Sequence, residues 1–166
     1  AFNESELNSK DITASYMNVA VTQADVFVGM GGSYFGDGDK GDSVGVYLND
    51  VDVALATYKQ LKTSDNFDNM SFTSVKASAA NAGLVGTEDY LTATLEGVVV
   101  DVNIGKSSNT ILKPFINYKE TFGDAGQVFA FENSSINLDY DTSIIAVSAS
   151  NAHIEVSEFL YLDGAI

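Results

Sequence analysis

The chain has 166 residues, enough for one domain with a substantial core. It carries 23 acidic side chains against 8 basic ones, all of them lysine, for a formal charge of -15. That speaks against nucleic acid and anionic membrane surfaces, which call for clustered Lys and Arg, while the absence of cysteine removes disulfides and thiolate chemistry.

The first ten residues read AFNESELNSK. Ala1 in place of Met predicts a mature product or an excised piece of a longer chain, and Ala-Phe-Asn-Glu-Ser suits the far side of a signal-peptidase cut. The expectation is therefore a secreted, extracellular or cell-surface protein. No apolar run approaches the roughly 18 residues that a membrane helix needs, so membrane insertion is not expected.

The first predicted element is VAVTQADVFVG, Val19 to Gly29. Apolar residues fall at Val19 and Val21, slip by one, and resume at Ala24, Val26 and Val28. Successive residues of a strand point to opposite faces, so such a slip would turn the second half outward unless a bulge or corner intervenes. The pattern returns at Val46, Leu48, Val51, Val53 and Leu55, then at Ala77, Ala79, Ala82 and Leu84, then at Ala93, Leu95, Val98, Val100 and Val102. It returns again at Phe129, Phe131, Ile136 and Leu138, and at Val147, Ala149, Ala152, Ile154 and Val156. The residues at the slip are mostly small or polar: Thr22-Gln23, Asn49-Asp50, Ala80-Asn81, Glu96-Gly97, Glu132-Asn133 and Ser150-Asn151. Gly, Asn and Asp tolerate the backbone angles of a corner. Each copy is read as strand, corner, strand, with the apolar set turned toward one core.

The stretches between are turn-formers: FGDGDKGDS, KTSDNFDN, GKSSNT and FGDAGQ. The best helical candidate, Val53 to Lys62, fits a strand running into a loop equally well. The fold class is all-β: an elongated β-sandwich, or a β-solenoid-like stack of strand-corner-strand units with open ends, in a single domain spanning residues 1–166. Joined head to tail, the chain's ends read FLYLDGAIAFNESEL, a continuous strand pattern. Ala1 to Lys10 is accordingly an extension that could pair with a neighbouring copy.

Chemistry is sparse. Asp37, Asp39 and Asp42 place three carboxylates on a glycine-rich loop, a set of hard oxygen ligands suited to calcium. Weaker acidic groups are Asp65, Asp68 and Asn69, and Asp139 with Asp141. His153 is the one histidine, read as an outward-facing surface residue; no nucleophile elbow accompanies it. Gly29, Gly31 and Gly32 precede no helical pattern, so they mark a turn or close packing and not a dinucleotide loop. No catalytic residue is expected.

The strings ADVFVGMGGS (Ala24 to Ser33), SVGVYLNDVDVALA (Ser43 to Ala56) and SVKASAANAGLVG (Ser74 to Gly86) resemble a tandem repeat unit of very large secreted bacterial proteins of the RTX-adhesin type. The resemblance implies an extracellular structural or adhesive module without catalysis. The chain lacks the tandem GGxGxDxxx run of the RTX nonapeptide itself, so the calcium roll is not implied. The expected function is a structural module that forms a filament, fibre or surface stalk with copies of itself, with calcium in acidic loops. The alternative is a discrete domain that binds a surface glycan or receptor.

Overall fold

The computed structural model describes residues 13–31, 35, 43–61, 69–108, 113–157 and 160–166. Its elements are β1 (Ala14–Met30), β2 (Val44–Gln60), β3 (Ser71–Val85), β4 (Leu91–Lys106), the short helix α1 (Tyr118–Phe122), β5 (Gln127–Ala130), β6 (Ser135–Leu138), β7 (Ile144–Ser148), β8 (Asn151–Val156) and β9 (Leu160–Gly164). The protein is almost entirely β, as expected. Strands pair in the order β1-β2-β3-β4-β8-β9, with β7 also on β4, and β5 and β6 form a separate hairpin. Among the described residues the large sheet is not closed into a barrel; β1 and β9 end its main path, and short β7 also pairs on one side only.

The phase slips are physical. Gln23 in β1, Asp50 in β2 and Gly97 in β4 take left-handed backbone angles, with φ of 55°, 51° and 56°. In β3, Ala80 and Asn81 are exposed in succession between buried Ala79 and Ala82, the mark of a bulge. Beside Gly97, the sixth copy breaks into β7 and β8, and both the amide and the hydroxyl of Ser150 donate to the Glu96 carbonyl, at 2.9 and 2.8 Å. The first two corners support each other. The Gln23 amide donates to Asp52 Oδ1 at 3.0 Å, and the Asp50 amide to Asp25 Oδ1 at 3.1 Å. An amide displaced from each ladder is thus satisfied by a carboxylate of the neighbouring strand.

A left-handed conformation suits aspartate and glycine but burdens glutamine. Gln23→Gly should therefore stabilise the fold by about 0.5 kcal/mol, the relieved strain slightly exceeding glycine's extra unfolded-state entropy. Chemical denaturation would register a raised midpoint. Gly97→Ala should have the opposite sign, because the new Cβ would lie 2.5 Å from Ser150 Oγ.

Two expectations fail. FAFENSSINL is not a bulged strand but the β5–β6 hairpin, with Phe129 opposite Ile136 and the Phe131 amide donating to the Ser134 carbonyl at 2.8 Å. The polar run Glu132 to Ser135 is long enough to reverse the chain. Moreover, the valine face of β1 does not face the core: Val19, Val21 and Val28 are 47%, 46% and 67% exposed. The opposite face, with Ala20 and half-buried Asn18 and Thr22, turns inward. In β2 the fully buried residues are Ala54 and Ala56, not Val53 and Leu55.

The chain divides into two compact units, each drawing on one half of every long strand. The first takes the N-terminal half of β1, the C-terminal half of β2, the start of β3, the end of β4, α1 and the β5–β6 hairpin. Its core joins Ala54 and Ala56 of β2 to Tyr118 of α1 and to Ile136 and Leu138 of β6, a hairpin layered on the larger sheet. Buried Asn103 of β4 ties in the irregular segments, donating to the carbonyls of Ile116 and Thr142. The helix α1 begins where the Asn117 side chain accepts from the Glu120 amide and ends at Gly123. The second unit holds the complementary strand halves with β8 and β9. Its buried apolar side chains, among the described residues, are small: Val51, Ala79, Ala82, Val85, Ala149 and Ala152.

Candidate functional site

The expected calcium ligands Asp37, Asp39 and Asp42 lie outside the described residues, as do Asp65 and Asp68. The third acidic group is described and is occupied by lysines. Asp139 accepts from Lys76 Nζ at 2.7 Å, and Asp141 from Lys119 Nζ at 3.0 Å. The Lys76 contact holds the Asp139 carboxyl below its usual range, and Asp141 pushes the Lys119 ammonium up. Both are ion pairs on the surface of the first unit, in a setting where such pairs contribute little. Among the described residues no group of three or more His, Cys, Asp or Glu side chains is arranged to hold a metal ion.

Among the described residues, three tyrosines of the first unit form a row. Tyr16, Tyr58 and Tyr118 follow one another at ring separations of 6.2 and 6.5 Å, but this row runs inward, from a 70% exposed Tyr16 to a fully buried Tyr118. Tyr58 donates to Gln127 Oε1, while Tyr140 donates to Asp101 Oδ1 at 2.6 Å and lies 2.8 Å from the Val75 carbonyl. These are structural hydroxyls, and burial pushes all three of Tyr58, Tyr118 and Tyr140 above the ordinary phenol range.

The distinctive surface belongs to the second unit: its two sheet edges and the valines beside one of them. The stretch VFVG shows how the sequence builds it. A Cβ on Gly29 would run into the Val44 carbonyl oxygen and would lie 2.8 Å from the Gly45 Cα and 2.6 Å from the Phe27 ring. The paired glycines let β1 and β2 meet beneath the Phe27 ring, which is why glycine interrupts an otherwise apolar strand. On the other face, Val26, Val28, Met30, Val44 and Val46 are exposed, Met30 at 77%.

Edges of native sheets are usually guarded by charge, proline or brevity. Edge strand β1 runs 17 residues with one charged side chain, Asp25, and no proline. That carboxylate is committed inward, accepting from the Asn49 side chain at 3.2 Å and from the Asp50 amide. Edge strand β9 also has one charge, Asp163, and it too is committed to its inner neighbour, 2.8 Å from His153 Nδ1 of β8. His153 is thus no isolated surface histidine. Its Nε2 also faces Glu155 Oε2 at 3.8 Å, and Glu155 in turn engages Tyr161. The Asp163 contact chiefly pushes the imidazole's pKa up, and the same contact lowers that of the Asp163 carboxyl.

No helix among the described residues is long and apolar enough to cross a membrane. No family model, curated protein or solved structure matches the chain.

Proposed function

We propose that this chain is a non-enzymatic structural module that joins copies of itself by edge-to-edge β-strand pairing, building a filament, fibre or stalk outside the cell. The observation that carries the reading is the state of edge strands β1 and β9. Both β1 and β9 lie at the rim of the sheet, and each directs its single charge to its own inner neighbour. An edge without protruding charge is a template for another strand, and backbone ladders supply the affinity. The exposed valines next to β1 give such a junction an apolar flank. The remaining acidic surface keeps laterally adjacent copies apart, so growth is directed to the edges. Calcium at Asp37, Asp39 and Asp42 would moderate that repulsion, and belongs to the same proposal.

The second reading, a carbohydrate- or receptor-binding domain, would draw on exposed aromatic side chains. Tyr16, Tyr90 and Tyr161 are exposed but stand on separate elements, which favours the self-pairing reading.

Negative-stain electron microscopy and sedimentation of the purified chain, with and without millimolar calcium, test the proposal. Filaments or a concentration-dependent series of oligomers are expected. Val26→Lys combined with Val28→Lys should reduce these to monomers while leaving the fold intact, since both positions face solvent and lysine is a natural edge guard. A wild-type chain that stays monomeric under both conditions overturns the reading.

A further inference from the structure

We propose that β9 is a detachable strand held on the sheet by a protonated His153, so that its attachment is set by pH. The freed edge of β8 would then receive a strand from a neighbouring copy, a step that rests on the self-pairing reading above.

The geometry separates two kinds of attachment. The pH-independent part is the antiparallel ladder to β8, from Ala152 opposite Gly164 to Val156 opposite Leu160, closed by mutual backbone bonds between Ala149 and Ile166 at 2.8 and 3.2 Å. Apolar burial adds little, because every residue of β9 is exposed. A terminal strand held this way opens at low cost compared with the strands beneath it. The adjustable part is the side-chain cluster on one face. His153 pairs directly with Asp163 across the ladder, and Glu155 with Tyr161. His153 Nδ1 lies 2.8 Å from Asp163 Oδ2, and its other ring nitrogen faces Glu155 at 3.8 Å. From β4, on the other side of β8, Thr94 lies opposite His153 and Glu96 opposite Asn151, so the charges disposed around the imidazole are all carboxylates. An imidazolium there donates to Asp163 at 2.8 Å and carries a positive charge within ion-pair range of Glu155, whereas a neutral imidazole keeps at most the first of these.

The sign follows. The His153 pKa is raised in the folded chain, so its contribution is complete below the ordinary histidine value and is lost as pH rises through the folded value. The Asp163 pKa is lowered, so its contribution is present above the ordinary aspartate value and is lost only as pH falls through the folded one. The strand is held best in the mildly acidic window between them and loosens as the medium becomes neutral to alkaline.

The experiment uses the full chain at dilution low enough to be monomeric, which keeps it independent of assembly. Amide hydrogen exchange of Tyr161 to Gly164 is measured on both sides of the His153 titration and corrected for intrinsic exchange rates. Because the chain has one histidine, proton NMR reads that titration without ambiguity. Protection of β9 should fall several-fold as His153 deprotonates, while β3 amides hold theirs. Asp163→Asn should shift the titration midpoint down toward that of free histidine, and His153→Gln should erase the pH step. Equal protection of β9 on both sides of the titration, or a step that survives His153→Gln, overturns the latch. If the latch is present but no oligomers form at any pH, only the self-pairing reading falls.

Discussion

Replacing Asn103 with alanine is expected to cost about 3–5 kcal/mol of folding stability, seen as a lowered urea midpoint with an unchanged slope. Asn103 is fully buried in β4 and uses both ends of its amide. Its Oδ1 accepts from the Ser74 hydroxyl at 2.9 Å, and its Nδ2 donates to the carbonyls of Ile116 and Thr142 at 2.9 and 2.7 Å. Alanine leaves two main-chain carbonyls and one hydroxyl without that partner, each a desolvation penalty of about 1–3 kcal/mol when nothing replaces it. Ser74→Ala removes one bond and should cost only about 1 kcal/mol. Asn103→Asp makes a sharper test, because a carboxylate would face two carbonyl oxygens. That variant should be worse than alanine at neutral pH and should recover as pH falls, since a protonated acid can donate to one of them. A loss below about 1 kcal/mol for Asn103→Ala would mean that the segments around Ile116 and Thr142 are held by something else.

Asn103 also shows where sequence reading ends. In VVVDVNIGK it occupies an alternating position that looks solvent-facing. Nothing local says that two loops distant in sequence will present carbonyls to it. The corners were legible because a left-handed residue is a local event, and the phase slip records it: Gln23, Asp50 and Gly97 lie at the positions where the apolar pattern skips. The side on which the core forms was legible at Ala79, Ala82, Ile136, Leu138, Ala149 and Ala152, which are buried as expected, but not in β1 or at Val53 and Leu55. A valine row reads the same on a covered face as on an open one, and which strand is the edge depends on pairing order, a non-local property. The hairpin at Glu132 to Ser135 reads like a corner because both interrupt the pattern with polar residues. The helix α1 is too short for a 3.6-residue period, although Asn117 and Gly123 bracket it as caps. For the histidine, a signal was available. HIEVSEFLYLD places His and Glu two residues apart, then Tyr and Asp two apart, a pairing that a short β8–β9 turn would bring into register.

The second unit has small buried side chains and open edges; the first is anchored by aromatic ones. Tyr118→Ala should therefore destabilise the chain by about 4 kcal/mol, toward the upper end of what loss of one aromatic side chain costs. Tyr118 is fully buried, stacked on Phe122 at 5.6 Å and edge-on to Tyr58 and Tyr140 at 6.5 and 6.3 Å. The fully buried members of the same cluster on β2 are Ala54 and Ala56, too small to move into the space it would leave. Tyr118 is also the one buried residue of α1, and five residues do not make a helix that stands without its anchor. Should the alanine variant fail to fold, Tyr118→Leu keeps part of the volume and permits measurement, with an intermediate loss. Tyr118→Phe keeps the ring and should remain within about 1 kcal/mol of the wild type. It should also be the more alkali-resistant protein. Burial raises the Tyr118 pKa, so above the ordinary phenol value of about 10 the unfolded chain ionises there while the folded one does not, and stability falls. Phenylalanine removes that proton from the balance. Denaturation midpoints for wild type and Tyr118→Phe should draw together near neutrality and separate above pH 10, in favour of phenylalanine. Parallel curves would place the alkaline sensitivity elsewhere, with Tyr140 the next residue to replace.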